Sequence, residues 1–319
     1  MVKTMNFKKL RGSIMLLLAA FIWGCAFVFQ EEAADSVGAF TMNGLRSIIG
    51  GVVLIPLILI LKNKRQKTTG KKEKVLTKEA LLGGMTCGVA LAIAANLQQF
   101  GIMFNAELTA GDSGKAGFIT AMYIIFVPLI TCLAGRGIKP SVIISVLIGV
   151  LGLYFISVKE GFSVATGDIF LLLCALSFSL HIIVVDYWVT KADAVTLSSI
   201  QFFTTGVISL ILMLVFEHDG LSLSGILGAA VPIFYLGVMS SGVAYTLQVV
   251  GQKYSEPTVA SLLMSLESLF AMLAACVFYK HLPSVREAIG CALMLLAIFL
   301  IETPFVDNLF KRIGKKNRG

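Results

Sequence analysis

The sequence predicts an all-α integral membrane protein of ten transmembrane helices arranged as two inverted five-helix repeats. Three observations predict it. The 319 residues have a mean hydropathy of +0.90, with 57% hydrophobic and only 14% charged residues. Soluble domains carry about 25% charged residues, and a globule of this composition has too little interior to hide its apolar side chains from water. Apolar runs then recur between charges and turn residues, each long enough to cross a hydrocarbon core about 30 Å thick. Finally, the order of short motifs in the first half returns in the second.

The expected spans are 12–31, 37–61, 79–103, 112–134, 140–158, 167–188, 194–216, 223–249, 256–279 and 284–303. They are expected to be helices, because an unpaired backbone group in lipid costs several kcal/mol, and the period-2 alternation of a membrane barrel is absent. The first span follows Lys3, Lys8, Lys9 and Arg11, as the core of a signal peptide would. It runs past Trp23 to Gln30-Glu31-Glu32 without a small-x-small cleavage site, so it is read as an uncleaved helix.

The net charge of +8 and pI near 9.2 do not point to nucleic acid, because the charges lie in short segments between spans. They read as topology signals and as attraction to anionic lipid. With the N-terminus placed in the cytoplasm, the cytoplasmic side gains Lys3, Lys8, Lys9 and Arg11, and eight cations from Lys62 to Lys78. It also gains Arg136, Lys139, Lys191 and Lys253, and five in the tail from Lys311 to Arg318, against Lys159, Lys280 and Arg286 outside. That asymmetry puts both termini in the cytoplasm of a bacterial-type plasma membrane. The six cysteines lie in apolar stretches without metal-ligand spacing, and no cofactor or metal is expected.

Two repeats are expected at 12–158 and 167–303, with basic tails at 1–11 and 304–319. Gly12-Ser-Ile-Met-Leu-Leu-Leu-Ala-Ala20 aligns without gaps on Gly167-Asp-Ile-Phe-Leu-Leu-Leu-Cys-Ala175. Asn43 falls over Gln201, Gly101 over Gly251, and Phe118-Ile-Thr-Ala-Met-Tyr123 over Leu262-Leu-Met-Ser-Leu-Glu267. Five helices is an odd number, so the second repeat enters from the opposite face. Inverted repeats of this kind underlie alternating access, with the site near the midplane.

Trp23-Gly24 in span 1 and Arg46 in span 2 resemble the EamA-type signature of the drug/metabolite transporter superfamily. So do Gly117-Phe-Ile-Thr-Ala-Met-Tyr123 with Phe126-Val-Pro128 in span 4, and Ser265-Leu-Glu267 in span 9. The resemblance covers about residues 12–303. It implies a ten-helix transporter of metabolites, amino acids or drug-like compounds, often an exporter. Two positions depart from the pattern: Ser268 stands where the family has Pro after Glu, and Tyr279-Lys280-His281-Leu282-Pro283 lacks the usual acidic residue before the last helix.

Ionisable groups within a span are costly and usually face a cavity, although a helix–helix hydrogen bond or snorkelling is the competing explanation for each. Glu267, near the middle of span 9, is the proton-coupling candidate; a substrate amine or a structural hydrogen bond is the alternative. Asn43 and Arg46 share a face of span 2, and Arg46 needs water or an anion, the anion coming from the protein or the substrate. Lys115 opens span 4 beside Asp112, as a local ion pair or a lure for anions at the outer mouth. Ser241, Tyr245, Gln248 and Gln252 form a stripe on span 8 at i, i+4, i+7, i+11. Asn96 and Gln99 on span 3, Trp23, Phe27 and Gln30 on span 1, Tyr123 on span 4, His181 on span 6 and Gln201 on span 7 complete an expected polar pocket.

The sequence reading is a secondary transporter of small organic solutes, more an exporter than an importer. An uncoupled facilitator or exchanger is the alternative, followed by a receptor or scaffold. The partners expected are a small-molecule substrate and membrane lipid, with no nucleic acid and an open oligomeric state. No P-loop, HExxH or GxSxG is present, so the chain is not read as an enzyme.

Overall fold

Helices make up the described residues, 7–70, 74–106, 113–157, 165–217, 222–278, 282–303 and 306–307 of a computed structural model. They run α1 (Phe7–Ala34), α2 (Ala39–Thr69), α3 (Lys78–Ala106), α4 (Ser113–Thr120), α5 (Tyr123–Leu133), α6 (Pro140–Ser157), α7 (Thr166–Val189) and α8 (Ala194–Phe216). After these come α9 (Leu223–Gly228), α10 (Ala230–Tyr235), a π-helix (Leu236–Tyr245), α11 (Thr246–Gln252), α12 (Pro257–Met264), α13 (Glu267–Phe278) and α14 (Val285–Glu302). Eight segments among the described residues are long and apolar enough to cross a membrane; α6 is apolar but shorter.

The outer surface is apolar: Leu147, Val231 and Phe299 are exposed, as suits lipid. The polar side chains turn inward instead. Asn43, Gln99, His181 and Gln201 are fully buried, the reverse of a soluble fold.

Small residues let the helices approach closely, since packing rather than hydrophobicity drives association in lipid. A Cβ on Gly101 would lie 2.9 Å from the Gly167 carbonyl, and one on Gly12 3.0 Å from the Gly251 carbonyl. Gly152 meets the Gly290 carbonyl at 2.9 Å in the same way, joining α6 to α14. Helix ends are closed by side chains. Asp193 caps α8 through Thr196 N at 3.1 Å, and Ser284 with Glu287 forms a capping box on α14. The start of α2 is capped from another helix: Glu217, at the end of α8, accepts from the Phe40 and Thr41 amides at 2.8 Å.

The expected spans differ from the helices in three places. Helix α2 continues to Thr69, well past residue 61, because beyond the lipid its Lys and Arg side chains are solvated; it ends at Gly70, which takes a φ of 69° and donates its amide to Gln66 O. Spans 4 and 9 are each broken in two, at Ala121–Met122 and Ser265–Leu266, where the hydrogen bonds tighten to i→i+3. The span expected at 223–249 resolves into α9, α10, the π-helix and α11, with membrane-length structure from Ala230 to Gln252.

Candidate functional site

The second halves of the two broken helices begin at residues that meet. Tyr123 is the first residue of α5 and Glu267 the first of α13. The Tyr123 hydroxyl donates to Glu267 Oε1 at 2.9 Å, and both side chains are buried. Discontinuous helices whose termini meet at a cavity are a recurrent way of building a membrane site, since irregular backbone is tolerated there.

A pocket opens around this pair. Trp23, Phe27 and Gln30 of α1 line one wall, with Arg46 of α2 and Gln98 of α3. Phe178 and Ile182 of α7, Ser240 and Tyr245 of the π-helix, and Gln248 of α11 line the other. Tyr245 sits at the hub, its ring 4.6 Å from Trp23, 5.5 Å from Phe202 and 6.1 Å from the His181 ring. The space left free is small, about 30 Å³ for the centre of a water-sized sphere. A single water needs about 10–15 Å³ by that measure, so the free space is on the scale of a few waters.

The π-helix alters the expected stripe. A wider turn places residues five apart on one face, so Ser240 joins Tyr245 at the pocket. Ser241, expected there, packs against Gly50 of α2, where an added Cβ would meet it at 2.6 Å. Segments of π-helix are rare and concentrate at functional sites.

Eight of the residues expected at the site line this pocket: Trp23, Phe27, Gln30, Arg46, Tyr123, Tyr245, Gln248 and Glu267. Five others stand behind it. Asn43 donates to Ala95 O and Asn96 Oδ1, both at 3.0 Å, and accepts from Arg46 Nε at 2.7 Å. Asn96 donates onward to Ala92 O and Ser209 Oγ. Gln99 donates to Gln30 O at 3.2 Å, while its neighbour Gln98 reaches the pocket. His181 Nε2 lies 3.2 Å from Gln201 Oε1. Lys115 lies away from the pocket, 2.7 Å from Asp168 Oδ2 at the start of α7. Asp112, its expected partner, is outside the described residues. Gln98 and Ser240 carried the weakest sequence signal, because a one-residue difference in helical phase decides which amide or hydroxyl faces inward.

Both ends of the bundle carry polar ties. At one, Asp168 also accepts from Asn105 Nδ2 at 3.0 Å and the Ala165 amide at 2.9 Å. At the other, Glu302 of α14 takes Lys9 at 3.0 Å and Ser13 Oγ at 2.7 Å. Ser268, in the place of the family's proline, donates to Gly117 O at 2.9 Å and ties α13 to α4. The departure at 279–281 lies outside the described residues.

The EamA-like transporter family model matches this chain twice, over residues 10–158 and 165–303. An uncharacterized transporter of Archaeoglobus fulgidus is 26% identical over 297 residues, covering 92% of this chain and 87% of its own. A chloroplastic WAT1-related protein of Arabidopsis thaliana is 22% identical over 301 residues, 91% of this chain and 69% of its own. One solved crystal structure shares the fold at a TM-score of 0.72 and 18% identity, over 93% of this chain and 98% of its own.

Proposed function

Since the chain belongs to the EamA-like transporter family, we propose that it is a secondary transporter of small organic solutes, more an exporter than an importer. It works by alternating access around the central pocket of a plasma membrane, with both termini cytoplasmic. In this reading α6 and α14, 18 residues each, join the eight membrane-length segments to make ten crossings in two inverted repeats.

The observation that carries the reading is the contact between Tyr123 and Glu267. These residues align in the two halves of the sequence, each directly after a helix break, and a symmetry-related pair that touches lies on the symmetry axis. The glycine crossings support the same axis. Gly12 aligns with Gly167 and Gly101 with Gly251, and the bundle packs Gly12 on Gly251 and Gly167 on Gly101. A pocket on such an axis faces either side equally well as one half rocks against the other. The ties at Asp168 and Glu302 then serve as the gates at the two ends.

Glu267 supplies the coupling. Among the described residues it forms no ion pair, and its hydrogen bond comes from a neutral phenol. Lacking a fixed counterion, it exchanges a proton or a substrate cation during the cycle.

The test is flux. Solutes that raise the unfolding temperature of the purified protein are loaded, labelled, into proteoliposomes. Saturable movement well above that of protein-free liposomes is expected. Binding without any movement would mean a receptor instead.

A further inference from the structure

We propose that Arg46 is the docking point for a carboxylate on the transported solute, so that the substrate class is small amphipathic monocarboxylates. The proposal rests on the transport reading and adds the chemistry of its substrate.

Arg46 is only 4% exposed, yet lines the pocket. Its guanidinium stays ionised at any relevant pH and offers five donors in a fixed fork. Among the described residues its sole hydrogen bond is the one from Nε to Asn43 Oδ1, and it forms no ion pair. The acidic group that shares its pocket, Glu267, is held by Tyr123 instead. A guanidinium with its terminal amino groups uncommitted and turned to a pocket is answered by water or by an anion, and the solute can supply that anion.

The guanidinium is also aimed. Asn43 holds Nε and is itself fixed by Ala95 and Asn96, with Asn96 anchored on Ser209. With Nε occupied, the two terminal nitrogens present an end-on fork that matches the two oxygens of a carboxylate. Because the fork is already oriented, little side-chain freedom is lost on binding.

The charge of the pocket excludes heavier anions. Among the described residues Arg46 is the one cation lining it, and Glu267 faces the same space. When Glu267 holds its proton the lining carries one positive charge, which matches a monocarboxylate and undercompensates a phosphate ester, close to a dianion at neutral pH. The body of the solute meets Trp23, Phe27, Phe178 and Tyr245, which favour an apolar or aromatic group. Trp23 Nε1 and Gln248 Oε1, buried without partners among the described residues, offer one donor and one acceptor for a further polar substituent.

The experiment is a thermal-shift panel on the purified full-length protein. It uses aryl and alkyl monocarboxylates, each beside its primary amide, with matched amines, phosphate monoesters and inorganic phosphate as further arms. Some carboxylates are expected to stabilise the protein where their amides do not. Their affinity should fall about tenfold or more in Arg46→Gln, and less in Arg46→Lys, which keeps the charge but not the fork. Should either variant fail to accumulate, competition on the wild type decides: the acid displaces a labelled acid and the amide does not. Amides binding as well as acids, stabilisation only by amines or phosphates, no stabilisation at all, or undiminished acid affinity in Arg46→Gln each overturn the proposal. Flux of a non-carboxylate solute would do so while leaving the transport reading intact; bound solutes that never move in liposomes defeat that reading instead.

Discussion

The Tyr123 hydroxyl donates a 2.9 Å hydrogen bond to Glu267, joining the first residue of α5 to the first residue of α13. The pair shares its pocket with Arg46 and Tyr245, and among the described residues the carboxylate forms no ion pair. In the proposed cycle the charge on Glu267 is answered by a proton.

Glu267→Gln keeps the shape and the bond from Tyr123 but cannot change charge. It should accumulate in the membrane at the wild-type level, lose the pH dependence of net flux, and retain exchange of one solute molecule for another. Proteoliposome assays over a pH series measure both. An unchanged pH profile rules out coupling through this residue, and failure to accumulate would make it a structural one.

Gly24 packs directly on the strand of backbone that follows Glu267: an added Cβ would lie 2.7 Å from Ala271 N and 2.8 Å from Glu267 O. Backbone cannot swing aside as a side chain does. Gly24→Ala should cost about 1–3 kcal/mol in overpacking and lower the unfolding temperature in detergent. Gly117→Ala, whose nearest neighbour is Ser268 Oγ at 3.5 Å, should be tolerated. Equal effects at both sites would show that the crossing is not close.

Gln248 and Asn96 are both buried amides, but only Gln248 lines the pocket. Gln248→Ala should weaken apparent solute affinity more than it lowers abundance. Asn96→Ala removes bonds to Asn43, Ala92 and Ser209 and leaves buried groups unpaired, so it should lower abundance first. Titrating flux against protein in the membrane separates the two, and parallel losses in both variants would contradict the assignment.

Much of this was legible from residue order alone. Charge asymmetry, the apolar runs and the aligned glycines need no structure; Glu267 and Arg46 stand out because lipid makes their burial costly, and Trp23 through its Trp-Gly motif. The phase of each helix was harder to read. A π-turn between Leu236 and Tyr245 rotates Ser240 toward the pocket and Ser241 away, and nothing in an α-helical period of 3.6 signals that. The breaks at Ala121–Met122 and Ser265–Leu266 were hidden too, since neither contains Pro or Gly. Likewise Asn43, Asn96 and Gln201 carry the same polar signal whether they bind solute or another helix; only their partners distinguish the two.

Asp193 lies outside the spans, where burial alone would raise its carboxyl. The Thr196 amide and Arg65, 2.6 Å away, outweigh that and hold it below the usual carboxylate range. A depressed folded-state value stabilises the fold above the ordinary carboxylate value and is lost as pH falls through the lowered one. Asp193→Asn should cost about 1 kcal/mol or less at neutral pH, the pair being partly exposed. The difference from wild type should vanish on acidification; a difference that persists in acid would assign the effect to packing.

The central claim is that one pocket opens alternately to both faces of the membrane. Ala26 lines that pocket at 2% exposure, and Ala26→Cys adds little bulk. In a background with the six native cysteines replaced, a membrane-impermeant thiol reagent should label Ala26→Cys from outside intact cells and, separately, from the cytoplasmic face of inverted vesicles. A solute that is transported should slow both. Labelling from one face alone, or from neither while the protein remains folded, would contradict alternating access.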